Sequence, residues 1–375
     1  MYLMETYRRL PVRFVKGEGV YLYDEGGNKY LDLVAGVAVN ALGYNHSKLI
    51  EAINEQVQKL IHTSNLFENP WQEELAKELV SLFWTDAKVF FCNSGAEANE
   101  AAIKLVRRYF YTKGERKYRI ITFKNSFHGR TFGAMSATAQ EKIHQGFHPL
   151  LDGFDYAELN DFNSVLKALR DDTAGVMLEV IQGEGGIREA DGEFLHKVQE
   201  LCKSKGLLFV LDEVQTGIGR TGRFYAYQHY GLKPDIITLA KGLGGGVPIG
   251  AMLAKEEVAK AFVPGSHGST FGGNPLACTS AKVVVQEVKR LLPQIERVGE
   301  YFKNKLKELG VGRVKGKGLM LGLELSQECS EIVMKALEKG LLINCTAGKV
   351  LRFVPPLIIQ EEHVDEAISI LRQIL

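Results

Sequence analysis

Lys241 ends a short apolar run, Asp235-Ile236-Ile237-Thr238-Leu239-Ala240, and Gly242, Gly244, Gly245 and Gly246 follow it. A lysine at the C-terminal lip of a buried strand is partly desolvated there, and its neutral amine attacks carbonyl carbon. A surface lysine opening a flexible turn is the plainer alternative. Four other stretches carry residues of comparable potential. Asn93-Ser94-Gly95-Ala96-Glu97-Ala98-Asn99 follows an apolar run and opens a helical pattern, so unpaired N–H groups there suit a phosphate, although Ser94 also serves as an ordinary N-cap. Ser126-Phe127-His128-Gly129-Arg130 offers an aromatic face for a planar ring and a guanidinium for a carboxylate; a packed aromatic and a surface arginine would read the same way. Glu179-Val180-Ile181-Gln182-Gly183-Glu184-Gly185-Gly186 sets two acids and a glutamine among glycines that permit close backbone approach. Asp212 and Glu213 close another apolar run, and two adjacent acids are costly to bury unless paired. Strand alternation sends their side chains to opposite sides, so one can face a site while the other serves structure.

The elements that would position these residues alternate strand and helix. Strands are expected at 88–92, 119–124, 176–181, 207–214, 235–240 and 249–254, and helices at 96–110, 162–170 and 193–204. Such apolar strands separated by helices form a mainly parallel sheet covered on both faces, which places ligands at the carboxyl ends of its strands. Upstream, a hairpin signal surrounds Asp24-Glu25-Gly26-Gly27-Asn28, and helices follow at about 46–61 and 71–83. Beyond Asn274-Pro275 the pattern changes to helices at 276–291 and 294–309, strands around 312–326, a helix at 328–339, strands near 341–354 and a last helix at 361–374. The reading is α/β: a large domain at 46–275 with the mainly parallel sheet, a smaller α+β domain at 276–375, and an N-terminal segment, 1–45, that joins the smaller one.

The 375 residues are ordinary in composition, with 45% hydrophobic and 24% charged. A net charge of +1 makes no electrostatic case for nucleic acid or an acidic membrane surface. No apolar run is long enough for a membrane span and no secretory signal is evident, so a cytoplasmic protein is expected. Five cysteines without a CxxC spacing read as reduced core residues. Gly217-Ile218-Gly219-Arg220-Thr221-Gly222 matches GxGxxG and would support a nucleotide-dependent oxidoreductase, but no helix is expected to open there and no acid stands about 20 residues on. His144 and His148 lack the glutamate of a zinc-protease helix, and no metal site is expected.

A phosphate nest, a stacking aromatic, an acid and a lysine opening off one sheet edge are the parts needed to hold pyridoxal 5'-phosphate. In these motifs, and in His267-Gly268-Ser269-Thr270-Phe271-Gly272-Gly273-Asn274-Pro275 and Leu351-Arg352-Phe353-Val354-Pro355-Pro356-Leu357, the chain resembles the class III pyridoxal-phosphate-dependent aminotransferases nearly end to end. The resemblance implies the type I fold of pyridoxal-phosphate-dependent transferases. It gives Lys241 the Schiff base and the proton shuttle, and Asp212 the pyridine nitrogen. Val214 and Phe127 would pack on opposite ring faces, Gln215 would approach the ring hydroxyl, and Gly95 and Ala96 would bind phosphate. Thr270 would reach the phosphate of the neighbouring subunit in a homodimer with shared active sites. Arg130 and Ser269 would hold the carboxylate end of an acylated substrate. Arg352 would bind the α-carboxylate of glutamate or 2-oxoglutarate, and Glu184 would pair with Arg352 when the ω-amino substrate is bound.

The activity implied is transfer of the terminal amino group of N2-acetyl-L-ornithine to 2-oxoglutarate, giving N-acetyl-L-glutamate 5-semialdehyde and glutamate, a step of arginine biosynthesis. Succinylornithine, succinyldiaminopimelate, ornithine and 4-aminobutyrate are alternative donors within the family, and a silent binding relative is an alternative outside catalysis. The residues that choose among donors would come from 37–44, from 65–67 and from the partner subunit. Val180 and Tyr44 depart from the family pattern, which often has proline and histidine there, but neither is a catalytic position.

Overall fold

The computed structural model describes residues 2–375. Two N-terminal hairpins are built from β1 (Phe14–Glu18), β2 (Tyr21–Asp24) and β3 (Lys29–Asp32). The large sheet collects β4 (Ala87–Cys92), β5 (Arg119–Phe123), β6 (Phe154–Ala157) and β7 (Thr173–Leu178). A two-stranded ribbon of β8 (Ile181–Gln182) and β9 (Arg188–Glu189) then leaves it. The sheet is completed by β10 (Leu208–Asp212), β11 (Ile236–Leu239) and β12 (Gly250–Lys255). Towards the C-terminus follow β13 (Arg313–Lys317), β14 (Met320–Glu324), β15 (Leu341–Leu342), β16 (Asn344–Thr346) and β17 (Val350–Phe353).

The seven-stranded order is β4-β12-β11-β10-β7-β5-β6, and only β12 runs against its neighbours. Both faces are buried, and the alternation along β10 shows it. Leu208 and Val210 pack with Ala101, Leu105 and Val106 of the helix Gly95–Thr112, while Phe209 and Leu211 join the main core on the other side. A strand dry on both faces has to read as a continuous apolar run, which is why these strands are visible in the sequence. The C-terminal sheet is ordered β13-β14-β17-β16, and β15 instead joins β3 in parallel, tying the N-terminal hairpins to the far end of the chain.

Four expectations are corrected. The strand expected at 207–214 stops at Asp212, because Asp212 Oδ1 turns back to accept the N–H of Val214 and ends the extended backbone. The strand expected at 176–181 stops at Leu178, where Glu179 takes the N–H groups of Phe127 and Gly183 and the chain leaves the sheet as β8. The helices expected at 276–291 and 294–309 are one helix, Pro275–Glu308, that runs through Pro293. Burial of Val285, Val288, Ile295 and Val298 on either side of the proline outweighs its cost of about 3 kcal/mol. The cysteines are not all reduced: Cys329 and Cys345 form a disulfide, with Cα atoms 5.7 Å apart, leaving Cys92, Cys202 and Cys278 free. No spacing rule anticipates a pair brought together by the fold alone.

The GxGxxG stretch has a packing role. No regular helix opens there; the next helical segment is a short 3-10 turn, Ala226–Tyr230. A Cβ at Gly219 would stand 2.5 Å from Val288 Cγ1, so this glycine admits the long helix. Gly299 on that helix is equally constrained, since a Cβ there would meet the carbonyl oxygen of Gly318 at 2.5 Å. Gly299→Ala gains about 1 kcal/mol of helix propensity but must force rigid backbone apart. The clash should dominate, lowering unfolding stability by about 2 kcal/mol in denaturant titration.

Candidate active site

Lys241 sits two residues past β11, at the start of a 3-10 turn, Lys241–Gly244. Its backbone is left-handed, with φ of 42°, a conformation costing a non-glycine residue of order 1 kcal/mol. The side chain lines a cavity of about 430 Å³ shared with Asp212, Val214, Gln215, Phe127 and Glu184. Burial pulls its pKa below the ordinary lysine value. The carboxylates of Glu184, Glu179 and Asp212 oppose that shift and the Arg352 charge adds to it. The amine is therefore easier to deprotonate than a surface lysine, as a nucleophile and proton carrier requires.

Asp212 closes β10 and is 2% exposed. Its Oδ2 accepts from Asn99 Nδ2 at 2.8 Å and lies 2.7 Å from His128 Nδ1. Asn99 in turn donates to the His128 carbonyl and accepts from the Thr238 hydroxyl, both at 2.7 Å. Burial disfavours a charged His128, yet the hydrogen bond and charge of Asp212, with Glu179 beyond, carry its pKa above the usual value. The imidazole thus donates through Nδ1, and its buried Nε2 has no partner among the described residues. Glu179 is pushed up to about 7 by burial, partly offset by the His128 charge. Glu213 points the other way. Its carboxylate accepts from the N–H groups of Ala226 and Tyr227 at 2.7 and 2.8 Å, a structural role in which burial raises its pKa to about 7.

At the other end of the cavity, Ser94 caps the helix Gly95–Thr112 by accepting the Glu97 N–H. Glu97 reaches back to the N–H of Asn93. The N–H groups of Gly95 and Ala96, in the first turn, have no acceptor among the described residues and give an anion two donors on a helix N-terminus. A Cβ on Gly95 would stand 2.6 Å from Val214 Cγ1, so only glycine lets the two segments meet. Gly129, with φ of 138°, is pressed against Ala96 in the same way, which seats the Phe127–Arg130 turn beside the helix start.

Glu184 and Arg352 form an ion pair of 2.6 Å. Arg352 is 2% exposed and also donates to Gly183 O and Gln215 Oε1 at 3.3 Å and, through Nε, to Asn344 Oδ1 at 3.2 Å. Thr346 Oγ1 holds the carbonyl of Glu184 at 2.8 Å. Burial works against the Glu184 carboxylate, but the charge and hydrogen bond of Arg352 hold its pKa below the usual carboxylate range.

The fold brings Lys241, Asp212, Gly95, Ala96, Phe127, Val214, Gln215, Arg130 and Glu184 to one cavity, with Arg352 behind Glu184. It does not bring Ser269 and Thr270 into that cavity: Thr270 is exposed, and Ser269 Oγ is engaged by Asn93 and the Gly272 N–H. Leu66 and Phe67 are likewise exposed and away from it, whereas Val39 lines it. Sequence reasoning quoted Asn99, His128 and Glu179 without assigning them work; the signal available was their place inside three motifs that already pointed at one sheet edge. The left-handed backbone of Ala35, Gly36, Val37 and Ala38, just before Val39, left no trace in the sequence. Asp32 stabilises it by accepting from the Val34 and Ala35 N–H groups.

The donor set fits pyridoxal phosphate: unpaired helix N–H groups for the phosphate, Asp212 for the ring nitrogen, and a depressed lysine within the same walls. No cluster of residues among those described could hold a metal ion. The fold and the site define a pyridoxal-phosphate-dependent transferase of fold type I. Over residues 2–375 the chain matches the family described as aminotransferase class III, and it belongs to that family. It is 68% identical over 374 residues to the acetylornithine aminotransferase of Aquifex aeolicus, covering 100% of both chains. With that of Caldanaerobacter subterraneus it shares 56% over 383 residues, covering 100% of this chain and 97% of the relative. Among solved structures it is similar to the N-acetylornithine aminotransferase from Stenotrophomonas maltophilia, with TM-score 0.85, 40% identity, and 98% and 96% of the two chains covered. The ornithine aminotransferase from Toxoplasma gondii superposes with TM-score 0.94 at 34% identity, covering 99% and 92%. Gly95→Ala should therefore displace Val214 and weaken cofactor retention by at least about tenfold, read from loss of the visible absorbance on dilution.

Proposed function

We propose that this enzyme transfers the terminal amino group of N2-acetyl-L-ornithine to 2-oxoglutarate, releasing N-acetyl-L-glutamate 5-semialdehyde and L-glutamate, as a cytoplasmic step of arginine biosynthesis. The observation that carries the reading is the Glu184–Arg352 pair beside Lys241. Transamination requires one pocket to accept two unlike donors. With the pair closed, Arg352 is neutralised and the wall suits a donor whose reacting end carries only an amine. With Glu184 swung away, Arg352 presents a fork to the α-carboxylate of glutamate. The similar enzymes of Aquifex aeolicus, Caldanaerobacter subterraneus and Stenotrophomonas maltophilia, all acetylornithine aminotransferases, support the same donor, and the more distant ornithine aminotransferase of Toxoplasma gondii supports a terminal amine.

Bound pyridoxal phosphate supplies an electron-accepting ring conjugated to the substrate's reacting carbon. The protein's residues do the rest. Asp212, held by Asn99 and His128, keeps a proton on the ring nitrogen; Gly95 and Ala96 anchor the phosphate; Phe127 and Val214 confine the ring faces and Gln215 the ring hydroxyl. Lys241 Nζ would take the proton from the substrate's amino-bearing carbon and hold it for return. Arg130 would hold the carboxylate of the acylated end, joined by Ser269 only if a second subunit brings that residue to the cavity. Ser269 and Thr270 lie outside their own cavity, which favours a homodimer in which Thr270 completes the partner's phosphate site.

The purified enzyme should be yellow, and Lys241→Ala should abolish borohydride-dependent covalent attachment of the cofactor; a colourless protein that binds NAD would overturn the reading. Half-reaction kinetics with a panel of ω-amino donors should give the highest kcat/KM with N2-acetylornithine. Glu184→Ala should raise the glutamate half-reaction relative to the acetylornithine one by about tenfold or more; equal effects on both would count against the gate. Because the Glu184 carboxyl is depressed, the pair is complete above the ordinary carboxylate pKa and is lost only as pH falls through the lower value. The ratio of the two half-reactions should accordingly stay flat between about pH 6 and 9 as far as this pair sets it.

A further inference from the structure

We propose that the Cys329–Cys345 disulfide is a positioning element for the substrate-carboxylate site, and that its reduction selectively weakens dicarboxylate binding. The proposal rests on Arg352 being the carboxylate-binding residue. β16 is an edge strand of three residues, Asn344, Cys345 and Thr346, paired on one side only, with β17. Its flanking residues hold both halves of the gate: Asn344 Oδ1 accepts from Arg352 Nε, and Thr346 Oγ1 donates to the carbonyl of Glu184. The residue between them, Cys345, is tied to Cys329, the residue immediately before the helix Ser330–Glu338. The turn after β16 packs on the same loop, since a Cβ on Gly186 would lie 3.0 Å from that of Ala347. A short edge strand with one neighbour has little ladder energy of its own, so the covalent link supplies the second anchor. Without it, Asn344 and Thr346 are free to shift, and the fork of Arg352 loses its fixed orientation.

Cys329 is fully buried, whereas Cys345 is half-buried, so a small dithiol would enter from the Cys345 side. A thiolate of the dithiol attacks the Cys345 sulfur and Cys329 leaves as a thiolate that takes up a proton. The second thiol then closes on the mixed disulfide, releasing Cys345 as a thiol and the reductant as its cyclic disulfide. Two electrons pass from the dithiol to the protein.

The test uses the holoenzyme purified without reductant. Thiol titration after denaturation should count three thiols before treatment with a dithiol and five after it, given five cysteines of which three are free. Calorimetric titration with glutarate, a non-reacting dicarboxylate, should show Kd rising about fivefold on reduction, and KM for 2-oxoglutarate should rise with it. The acetylornithine half-reaction should change by less than about twofold. Cys345→Ser and Cys329→Ser should bind glutarate like the reduced enzyme and be indifferent to dithiol, and Thr346→Val should weaken binding in either redox state. Five thiols before treatment would overturn the proposal, as would reduction that leaves glutarate binding unchanged or slows both half-reactions equally. Arg352→Ala separates the two readings: if it binds glutarate as the unaltered chain does, the assignment of Arg352 has failed, and not the anchoring role of the disulfide.

Discussion

A buried carboxylate has to be compensated, and in this protein the compensation of Asp212 organises the site. Three elements converge on its two oxygens: Asn99 from the helix Gly95–Thr112, His128 from the loop after β5, and the N–H of Val214 beyond β10. Each brings something else with it. Asn99 fixes the helix whose start faces the cavity, His128 fixes the turn carrying Phe127 and Arg130, and Val214 meets Gly95 at the far side of the cavity. Leaving such a charge unpaired would cost several kcal/mol, so the geometry of the site is imposed by electrostatics as much as by packing. Lys241 then enters a space already rich in negative charge, which limits how far burial depresses its pKa.

The second constraint is steric. Gly95, Gly129, Gly219 and Gly299 each stand where an added Cβ would fall inside 3 Å of a neighbour. They let the long helix Pro275–Glu308 lie against the loop beyond β10 and against the C-terminal turn, while the loops around the cavity lie against one another. Strain collects near the same place: Lys241 and the Ala35–Ala38 turn are left-handed without being glycine, apart from Gly36; Lys241 lines the cavity and the turn leads directly into Val39, which also lines it. Backbone in these states persists where surrounding structure over-determines it, and here Asp32 and the packed sheet do so.

Much of the sheet is legible in the residues. Strands buried on both faces must be continuously apolar, so β5, β10, β11 and β12 stand out by composition. Their ends are less legible, because Asp212 ends β10 by turning back on the N–H of Val214 and Glu179 ends β7 by taking the N–H groups of Gly183 and of the distant Phe127. Pro293 is read as a break because local propensity says so, and burial on both sides overrides it. The disulfide is invisible for a related reason: Cys329 and Cys345 meet only once the helix Ser330–Glu338 and β16 have been laid side by side.

By itself, the sequence determines which chemistry is available. A lysine after a buried strand, a Ser-Gly helix start and an acid closing another strand are local features, and local features survive in one dimension. Tertiary structure decides which of these act together, which acid faces the cavity and which the core, and what holds each in place. Glu184 and Arg352 are 168 positions apart, yet 2.6 Å from contact to contact in the fold. Lys241, Asp212 and Gly95 become one site only because parallel strands deliver their carboxyl ends to the same edge.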